Sequence, residues 1–317
     1  MLTLCLLAAC GSADNDRDIL PEVPEGAQAV SLTGRALFPA DPPQAFLDRY
    51  RDAREDWEAD PGNPDKLIWH GRWAAYCGEY REAIRIFSRG VADFPDDPRM
   101  LRHRGHRYIT VREFERAVKD FERAAEMIAG LPDEVEPDGM PNPMGIPVST
   151  LHSNIYYHLG LARYLLGNLE GALSAWQSDM ALEVNDDMTV ATLHWIYMAL
   201  RELGRDGEAA SALEVVTDDM HVIENTAYQQ LCLFYKGQLT LSELTGEEKP
   251  GALMEEPGAS MEEPGAPMND AMLYGIGNWF RYNGDPETAR VYFSRIFEGG
   301  SWASFGYVAA EAKTASD

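Results

Sequence analysis

Apolar positions along this chain follow a repeated spacing of small and aromatic residues, with polar residues between them. A glycine is followed by an alanine twelve positions later and by an aromatic residue sixteen positions later, and this pattern occurs four times. At ordinary alanine and aromatic frequencies, chance would produce roughly 0.2 occurrences. The four sets are Gly71, Ala83 and Phe87; Gly105, Ala117 and Phe121; Gly160, Ala172 and Trp176; and Gly277, Ala289 and Phe293.

This spacing predicts pairs of antiparallel helices, each of about 13 residues, in which small residues allow close backbone approach. The aromatic residue would then fill the groove toward the next pair. A turn glycine precedes the alanine by five positions in most pairs, but Arg112 takes this place in the second pair. The turn glycines are Gly78, Gly167, Gly204 and Gly284. The predicted repeats cover 64–97, 98–131, 153–186 and 270–303, with a degenerate repeat at 190–223.

The stretch GRWAAYCGEYREAIRIFSRGVADFP, which ends at Pro95, resembles the tetratricopeptide repeat. This resemblance implies an all-α fold, a right-handed solenoid of antiparallel helix pairs, and it identifies no reaction. We expect a leading helix before the array and a capping helix at 301–314. The predicted parts are 1–10 (signal segment), 11–42 (flexible tether), 43–63 (leading helix), 64–131 (repeats), 132–152 (insertion), 153–245 (repeats and further helices), 246–269 (acidic loop) and 270–317 (last repeat and cap).

Two segments interrupt the repeats. Residues 129–150 are rich in proline and glycine, so no helix is expected there. They form either a ligand-binding loop or a spacer packed along the second repeat. Residues 254–266 contain a tandem duplication of Met-Glu-Glu-Pro-Gly-Ala, for which we expect a mobile loop without chemistry.

The N-terminal residues Leu7, Ala8, Ala9 and Cys10 resemble a bacterial lipobox, in which the cysteine is lipidated. The residue after Cys10 is glycine rather than aspartate, which in that family implies an outer-membrane lipoprotein facing the periplasm, held at the membrane by lipid alone. A signal peptide requires basic residues before its apolar run, and this sequence has none there. A start codon placed too far downstream would explain this, and an untargeted N-terminus is the alternative.

Charge and motif content exclude several functions. The 317 residues carry 27 basic and 52 acidic side chains, and this net charge of −25 opposes nucleic-acid binding. No catalytic motif or cofactor fingerprint is present, so we expect a non-enzymatic protein without a cofactor. His103 and His106 lack a third metal ligand, so no metal site is expected. Cys77 and Cys232 are expected to be buried thiols.

The first two repeats carry a different charge from the rest of the sequence. Residues 64–128 hold 13 basic and 11 acidic side chains, whereas residues 129–317 hold 9 and 29. The resemblance implies that the first helix of each repeat lines a concave groove. We expect this groove to bind a protein or peptide through an acidic segment or a C-terminal carboxylate. The alternative is a solvated charged face. The expected binding residues are Arg72, Tyr76, Arg99, Arg102, His106, Asn154 and Tyr157.

A second hypothesis is a small-ligand pocket in the second half of the array. Asn154, Tyr157, His158 and His194 would converge there, beside the aromatic residues Tyr156, Trp195, Tyr274 and Trp279. Aromatic residues at helical spacing more often form a core. A deep pocket would favour this hypothesis, and an open groove lined by arginine would favour partner binding.

Overall fold

The computed structural model describes residues 20–182, 185–247 and 268–316, and these residues are predominantly α-helical. The described helices are α1 Gln44–Ala59, α2 Pro64–Tyr76, α3 Tyr80–Asp93, α4 Pro98–Thr110, α5 Phe114–Ile128, α6 Leu151–Leu165, α7 Leu169–Met180, α8 Asp186–Glu202, α9 Asp206–Ala212, α10 Thr226–Tyr235, α11 Leu241–Thr245, α12 Asp270–Tyr282, α13 Pro286–Gly299 and α14 Phe305–Ser316. Consecutive helices pack in pairs and pairs stack on their neighbours, which confirms the predicted tetratricopeptide-like solenoid.

The glycine–aromatic contacts explain the repeated spacing. In all four predicted sets, a Cβ added to the glycine would lie closer than 3.0 Å to the aromatic ring sixteen positions later. The ring therefore occupies the space that a side chain would take, and the two helices approach at that point. The four pairs in contact are Gly71 and Phe87, Gly105 and Phe121, Gly160 and Trp176, and Gly277 and Phe293.

The turn inside each pair requires a left-handed backbone. Gly78, Gly167, Gly204 and Gly284 have φ between 71° and 87°, a region that glycine enters without steric cost. Arg112 holds the same position in the second pair with φ 69°. A non-glycine residue in this conformation is strained, so its side chain must be held by other contacts.

Helix starts follow the sequence signals. The Asn185 side chain accepts a hydrogen bond from the Met188 backbone N–H, and Asn269 accepts one from Met272. Both asparagines are therefore N-caps. The Asp187 carboxylate accepts hydrogen bonds from the backbone N–H groups of residues 223–225. These bonds hold that loop against α8.

Residues 20–42, predicted as part of a flexible tether, instead pack on the array. Strands β1 Ala29–Val30 and β2 Ala36–Leu37 pair antiparallel, with Ala29 opposite Leu37. Ala29 and Leu37 are buried, and the Trp302 indole donates to the Phe38 carbonyl at 2.6 Å. The prediction was wrong here because proline and acidic content does not reveal a short buried hairpin. Cys10 and the 254–266 duplication lie outside the described residues.

Helix α14 does more than cap the last pair. It packs on α12 and α13 and also reaches α6. The Phe305 ring lies 5.2 Å from His106 and 5.4 Å from His158, measured between ring centroids. Lys313, near the other end of α14, forms an ion pair with Glu202 of α8. Helix α14 therefore links the second repeat to the later repeats.

No helix among the described residues has the length and apolar character needed to cross a bilayer.

Candidate functional site

Helices α2, α4 and α6 lie side by side and form one surface, which we call the α2–α4–α6 groove. Each helix starts with an N-cap residue whose side chain accepts a backbone hydrogen bond: Asn63 accepts from Asp65, Asp97 from Arg99, and Thr150 from Ser153. Each cap satisfies a backbone N–H that the first turn of its helix would otherwise leave without a partner. The polar and aromatic side chains that line it include Arg72, Tyr76, Arg102, His103, His106, Arg107 and Asn154.

The 129–150 insertion crosses this groove. Its two ends pair with each other, since Glu136 N–H donates to the Ser149 carbonyl at 3.1 Å and Leu151 N–H donates to the Glu134 carbonyl at 2.9 Å. Val135 and Thr150 form an antiparallel bridge. The insertion is therefore an anchored arm over α2, α4 and α6, rather than a spacer beside the second repeat alone.

The arm places one carboxylate among the predicted binding residues. A Glu136 oxygen lies 2.9 Å from Arg102 Nε and accepts a hydrogen bond from Asn154 Nδ2 at 3.1 Å. Glu136 and Arg102 side chains are only 10% and 9% exposed. Arg72 donates to the Pro137 carbonyl at 2.7 Å and also bonds the Tyr76 hydroxyl at 3.3 Å. The groove thus holds an extended Glu-Pro segment by its carboxylate and its main chain.

Three cavities remain around the Glu136 arm. Their volumes are about 240, 170 and 120 Å³, and Glu136 and Arg72 line all three. A larger hollow of about 780 Å³ lies at the starts of the same helices. There Arg99 is already paired with Asp65 and Asp97, at 2.6 Å in each case. We therefore place the candidate site in the groove rather than in the larger hollow.

The groove has a surplus of positive charge. Arg72, Arg102 and Arg107 surround Glu136 in the smallest cavity. Removal from water lowers the pKa of Arg107 to about 10, so it remains a cation at neutral pH. Burial, assisted by the neighbouring guanidinium groups, holds the pKa of His103 well below its ordinary value. His103 therefore adds no charge at neutral pH.

Three predicted binding residues have partners other than the Glu136 carboxylate, although Arg99 and His106 line cavities beside it. Arg99 forms the ion pairs at the helix starts described above. The Tyr157 hydroxyl is buried and accepts from the Trp195 indole at 2.8 Å. His106 lines the 120 Å³ cavity together with Glu136, and its ring lies against the His158 ring, with ring centroids 4.6 Å apart. The sequence prediction missed Arg107 and the occupying carboxylate of Glu136.

The residues proposed for a small-ligand pocket have separate partners. Asn154 binds the Glu136 arm, and the His158 ring bonds the Asn154 carbonyl at 2.6 Å. His194 lies in an aromatic cluster with Tyr228 and Tyr235. Neither His158 nor His194 lines the four cavities described above. The structure brings these side chains into the core rather than into a common pocket.

Metal and thiol chemistry have little support in the described residues. No group of three or more His, Cys, Asp or Glu side chains there has a geometry that could hold a metal ion. Cys77 and Cys232 are free and buried, as predicted. Burial raises the pKa of both thiols, which disfavours the nucleophilic thiolate.

Comparison with known proteins gives weak structural similarities. No protein-family model matches the sequence, and no curated protein matches it. A crystal structure of MamA is 18% identical at a TM-score of 0.42, and the alignment covers 53% of this protein and 85% of MamA. YrrB, described as a TPR protein with an unusual peptide-binding site, is 16% identical at a TM-score of 0.40. The alignment covers 78% of this protein and 91% of YrrB. PilF of Pseudomonas aeruginosa is 13% identical at a TM-score of 0.43. The alignment covers 83% of this protein and 92% of PilF. Similarity at this level carries no conclusion about function, which must come from the groove itself.

Proposed function

We propose that this protein is a non-catalytic scaffold whose α2–α4–α6 groove binds an acidic segment of a partner protein. The observation that carries the proposal is the occupied state of the groove. Arg102 and Asn154 hold the Glu136 carboxylate, and Arg72 holds the adjoining main chain. A groove that binds an extended acidic segment of its own polypeptide has the chemistry to bind one from another protein.

The charge distribution supports an acidic partner. The protein as a whole carries −25, yet Arg72, Arg102 and Arg107 meet around one cavity. Charge-assisted hydrogen bonds are about twice as strong as neutral ones, and a guanidinium group matches the shape of a carboxylate. The residue before a proline prefers an extended backbone, so a Glu-Pro segment meets the groove in a preformed conformation.

We further propose a place in the bacterial envelope, where Cys10 would be lipidated and the array would face the periplasm from the outer membrane. The support is the Leu7, Ala8, Ala9 and Cys10 motif alone. Membrane fractionation of the full-length protein and of Cys10→Ala, each expressed behind a complete bacterial signal peptide, tests this proposal. Equal recovery of both forms in the soluble fraction would contradict it.

The binding proposal is tested by fluorescence anisotropy with a labelled peptide that copies residues 133–140. The receptor is the full-length protein with Glu136→Gln, because this change removes the competing carboxylate. We expect the acidic peptide to bind more tightly than a version in which glutamine replaces its glutamates and asparagine its aspartates.

Adding Arg72→Gln to this receptor should weaken binding about tenfold, as expected for the loss of one charge-assisted bond. Arg85→Gln is the matched control, since Arg85 lies on α3 with a 73% exposed side chain. Equal binding of the acidic and neutral peptides would overturn the proposal.

A further inference from the structure

The Glu136 arm meets the α2–α4–α6 groove in a fixed register. Its first contact is the Glu136 carboxylate, which lies 2.9 Å from Arg102 Nε and accepts from Asn154 at 3.1 Å. Its second contact is the Pro137 carbonyl, which accepts from Arg72 at 2.7 Å. The groove therefore binds the side chain of one residue and the main chain of the next, and this fixes where the following residues lie.

Gly139, three residues after Glu136, lies directly against the wall of the groove. A Cβ added to Gly139 would lie 2.8 Å from Tyr76 Cζ and 2.9 Å from Arg72 Nη2, and closer still to the Tyr76 hydroxyl oxygen. Atoms at such distances overlap, so even a methyl group at position 139 would have to displace its neighbours.

The arm needs glycine at position 139 because of space and not because of the backbone. Gly130 and Gly145 of the same arm have φ of 76° and 65°, in the left-handed region that favours glycine. The φ of Gly139 lies outside that region. Alanine can therefore adopt this φ, and it is the neighbouring side chains that exclude it.

The wall formed by Tyr76 and Arg72 is held in place by other aromatic residues. The Tyr76 ring packs edge-on against Phe46 and Trp73, with ring centroids 6.5 and 5.2 Å apart. Its hydroxyl accepts from Arg72 at 3.3 Å, and the Arg72 guanidinium carbon lies 4.6 Å from the centre of the Trp69 ring. Movement of Tyr76 would break these contacts, so the wall excludes a larger residue instead of yielding to it.

We propose that Tyr76 is a specificity-determining residue of the groove, which selects segments of the form Glu-Pro-x-Gly. The inference rests on the proposed function and specifies its ligand. The glutamate takes the place of Glu136, the proline keeps it extended, and the glycine lies beside the Tyr76 hydroxyl. Residue x is not selected, since Asp138 at this position uses its carboxylate to accept from the Met140 backbone N–H of the arm itself.

Two pairs of capped peptides test this selection by isothermal calorimetry against the full-length protein with Glu136→Gln. The first pair is a copy of residues 133–140 and the same peptide with alanine in place of its glycine. The second pair has the same ends, but Ala-Gly or Gly-Ala follows the proline. These two isomers have the same composition and charge. Remaining competition from the arm is the same for both members of a pair, so the ratio of their affinities is unaffected.

We expect alanine at the glycine position to weaken binding about tenfold or more, because the methyl group overlaps Tyr76. The Ala-Gly isomer should bind about tenfold more tightly than the Gly-Ala isomer for the same reason. Alanine in place of Met140 is the matched control. Met140 is 52% exposed, so this change should alter the affinity about threefold at most.

Changes at Tyr76 separate selection for glycine from a general loss of binding. Tyr76→Leu should give similar affinities for the glycine and alanine peptides, because leucine leaves room for a methyl group. Tyr76→Phe removes only the hydroxyl and should retain part of the preference. Arg85→Gln changes an exposed residue of α3 and should retain all of it. Circular dichroism checks that each variant is folded.

Equal affinities within both peptide pairs, or a preference for glycine that survives Tyr76→Leu unchanged, would overturn selection by Tyr76 while leaving the groove as an acidic-segment site. If the 133–140 peptide binds no more tightly than a version with glutamine and asparagine in place of its acidic residues, the proposed function fails as well.

Discussion

Arg112 and Glu311 form a buried ion pair between residues 199 positions apart. The distance from Arg112 Nε to Glu311 Oε2 is 2.8 Å, and the two side chains are 3% and 2% exposed. Arg112 also donates to the Trp302 carbonyl at 2.9 Å. The pair ties the turn of the second repeat to α14. It also explains why arginine, despite its strained φ, replaces the glycine found at this turn in the other repeats.

Removal of one partner should therefore destabilise the fold strongly. Glu311→Gln leaves the Arg112 charge buried without an opposite charge, and we expect a loss of about 3–5 kcal/mol in the free energy of unfolding. Urea denaturation at neutral pH measures this loss. Glu287→Gln is the control. Glu287 forms an ion pair with Arg290, and their side chains are 84% and 61% exposed. Such an exposed pair contributes about 0–1 kcal/mol to the free energy of unfolding. Equal effects of the two substitutions would contradict the assigned role of the buried pair.

The glycine–aromatic contact predicts opposite results for two glycine-to-alanine changes. A Cβ at Gly71 would lie 2.5 Å from Phe87 Cζ, so Gly71→Ala should cost about 1–3 kcal/mol through overpacking. A Cβ at Gly207 in α9 would meet nothing within 4 Å. Gly207→Ala should therefore stabilise the protein by about 0.5–1 kcal/mol. Thermal unfolding followed by circular dichroism gives both values, and a stable Gly71→Ala protein would show that Phe87 can move aside.

Competition by the internal arm predicts that the unaltered protein binds acidic peptides more weakly than the Glu136→Gln variant. In this variant residue 136 no longer carries the carboxylate that contacts Arg102 and Asn154, so it competes less with an external peptide. We expect the affinity for that peptide to rise at least about tenfold. Anisotropy titration with the 133–140 peptide measures the ratio. Glu134→Gln is the matched control, because Glu134 lies on the same arm with an exposed side chain. An equal gain in both variants would indicate a general charge effect instead of competition at Arg102.

Buried histidines predict a loss of stability in acid. Burial lowers the pKa of His158 and of His194 to about 3, and also holds the pKa values of His103 and His106 well below the ordinary value. Below about pH 6.5 these histidines bind protons in the unfolded state but stay neutral in the folded state. The free energy of unfolding therefore falls as the pH drops from about 6.5 toward about 3.

Asp179 acts in the opposite direction, since burial raises its pKa to about 6 and its protonation favours the folded state between about pH 6 and 4. Because four histidines oppose this one carboxyl group, we expect the net free energy of unfolding to fall in acid. Urea midpoints measured at several pH values should decrease on acidification, and His194→Phe should reduce the slope. An unchanged slope in that variant would show that His194 does not contribute.

The side-chain contacts within the groove were partly predictable. Arg72, Arg102 and Asn154 were expected to hold a carboxylate, and in the structure they surround the Glu136 arm. Which carboxylate they hold was not predictable, because a proline-rich insertion has no periodicity from which its path can be inferred. Arg107 was missed for a related reason: its place in the groove depends on where the arm and Tyr80 lie.

The sequence by itself determined the repeat architecture. Gly71 and Phe87 meet within one helix pair, and Gly78 sets the turn between those helices. Each signal therefore acts over fewer than about 20 residues and recurs in most copies of the repeat. Only the tertiary structure decided the path of the segments between and beyond the repeats. Glu136 reaches Arg102, Phe38 reaches Trp302 and Glu311 reaches Arg112. These contacts occur once each, between distant residues, and they depend on the small rotations that accumulate from one helix pair to the next.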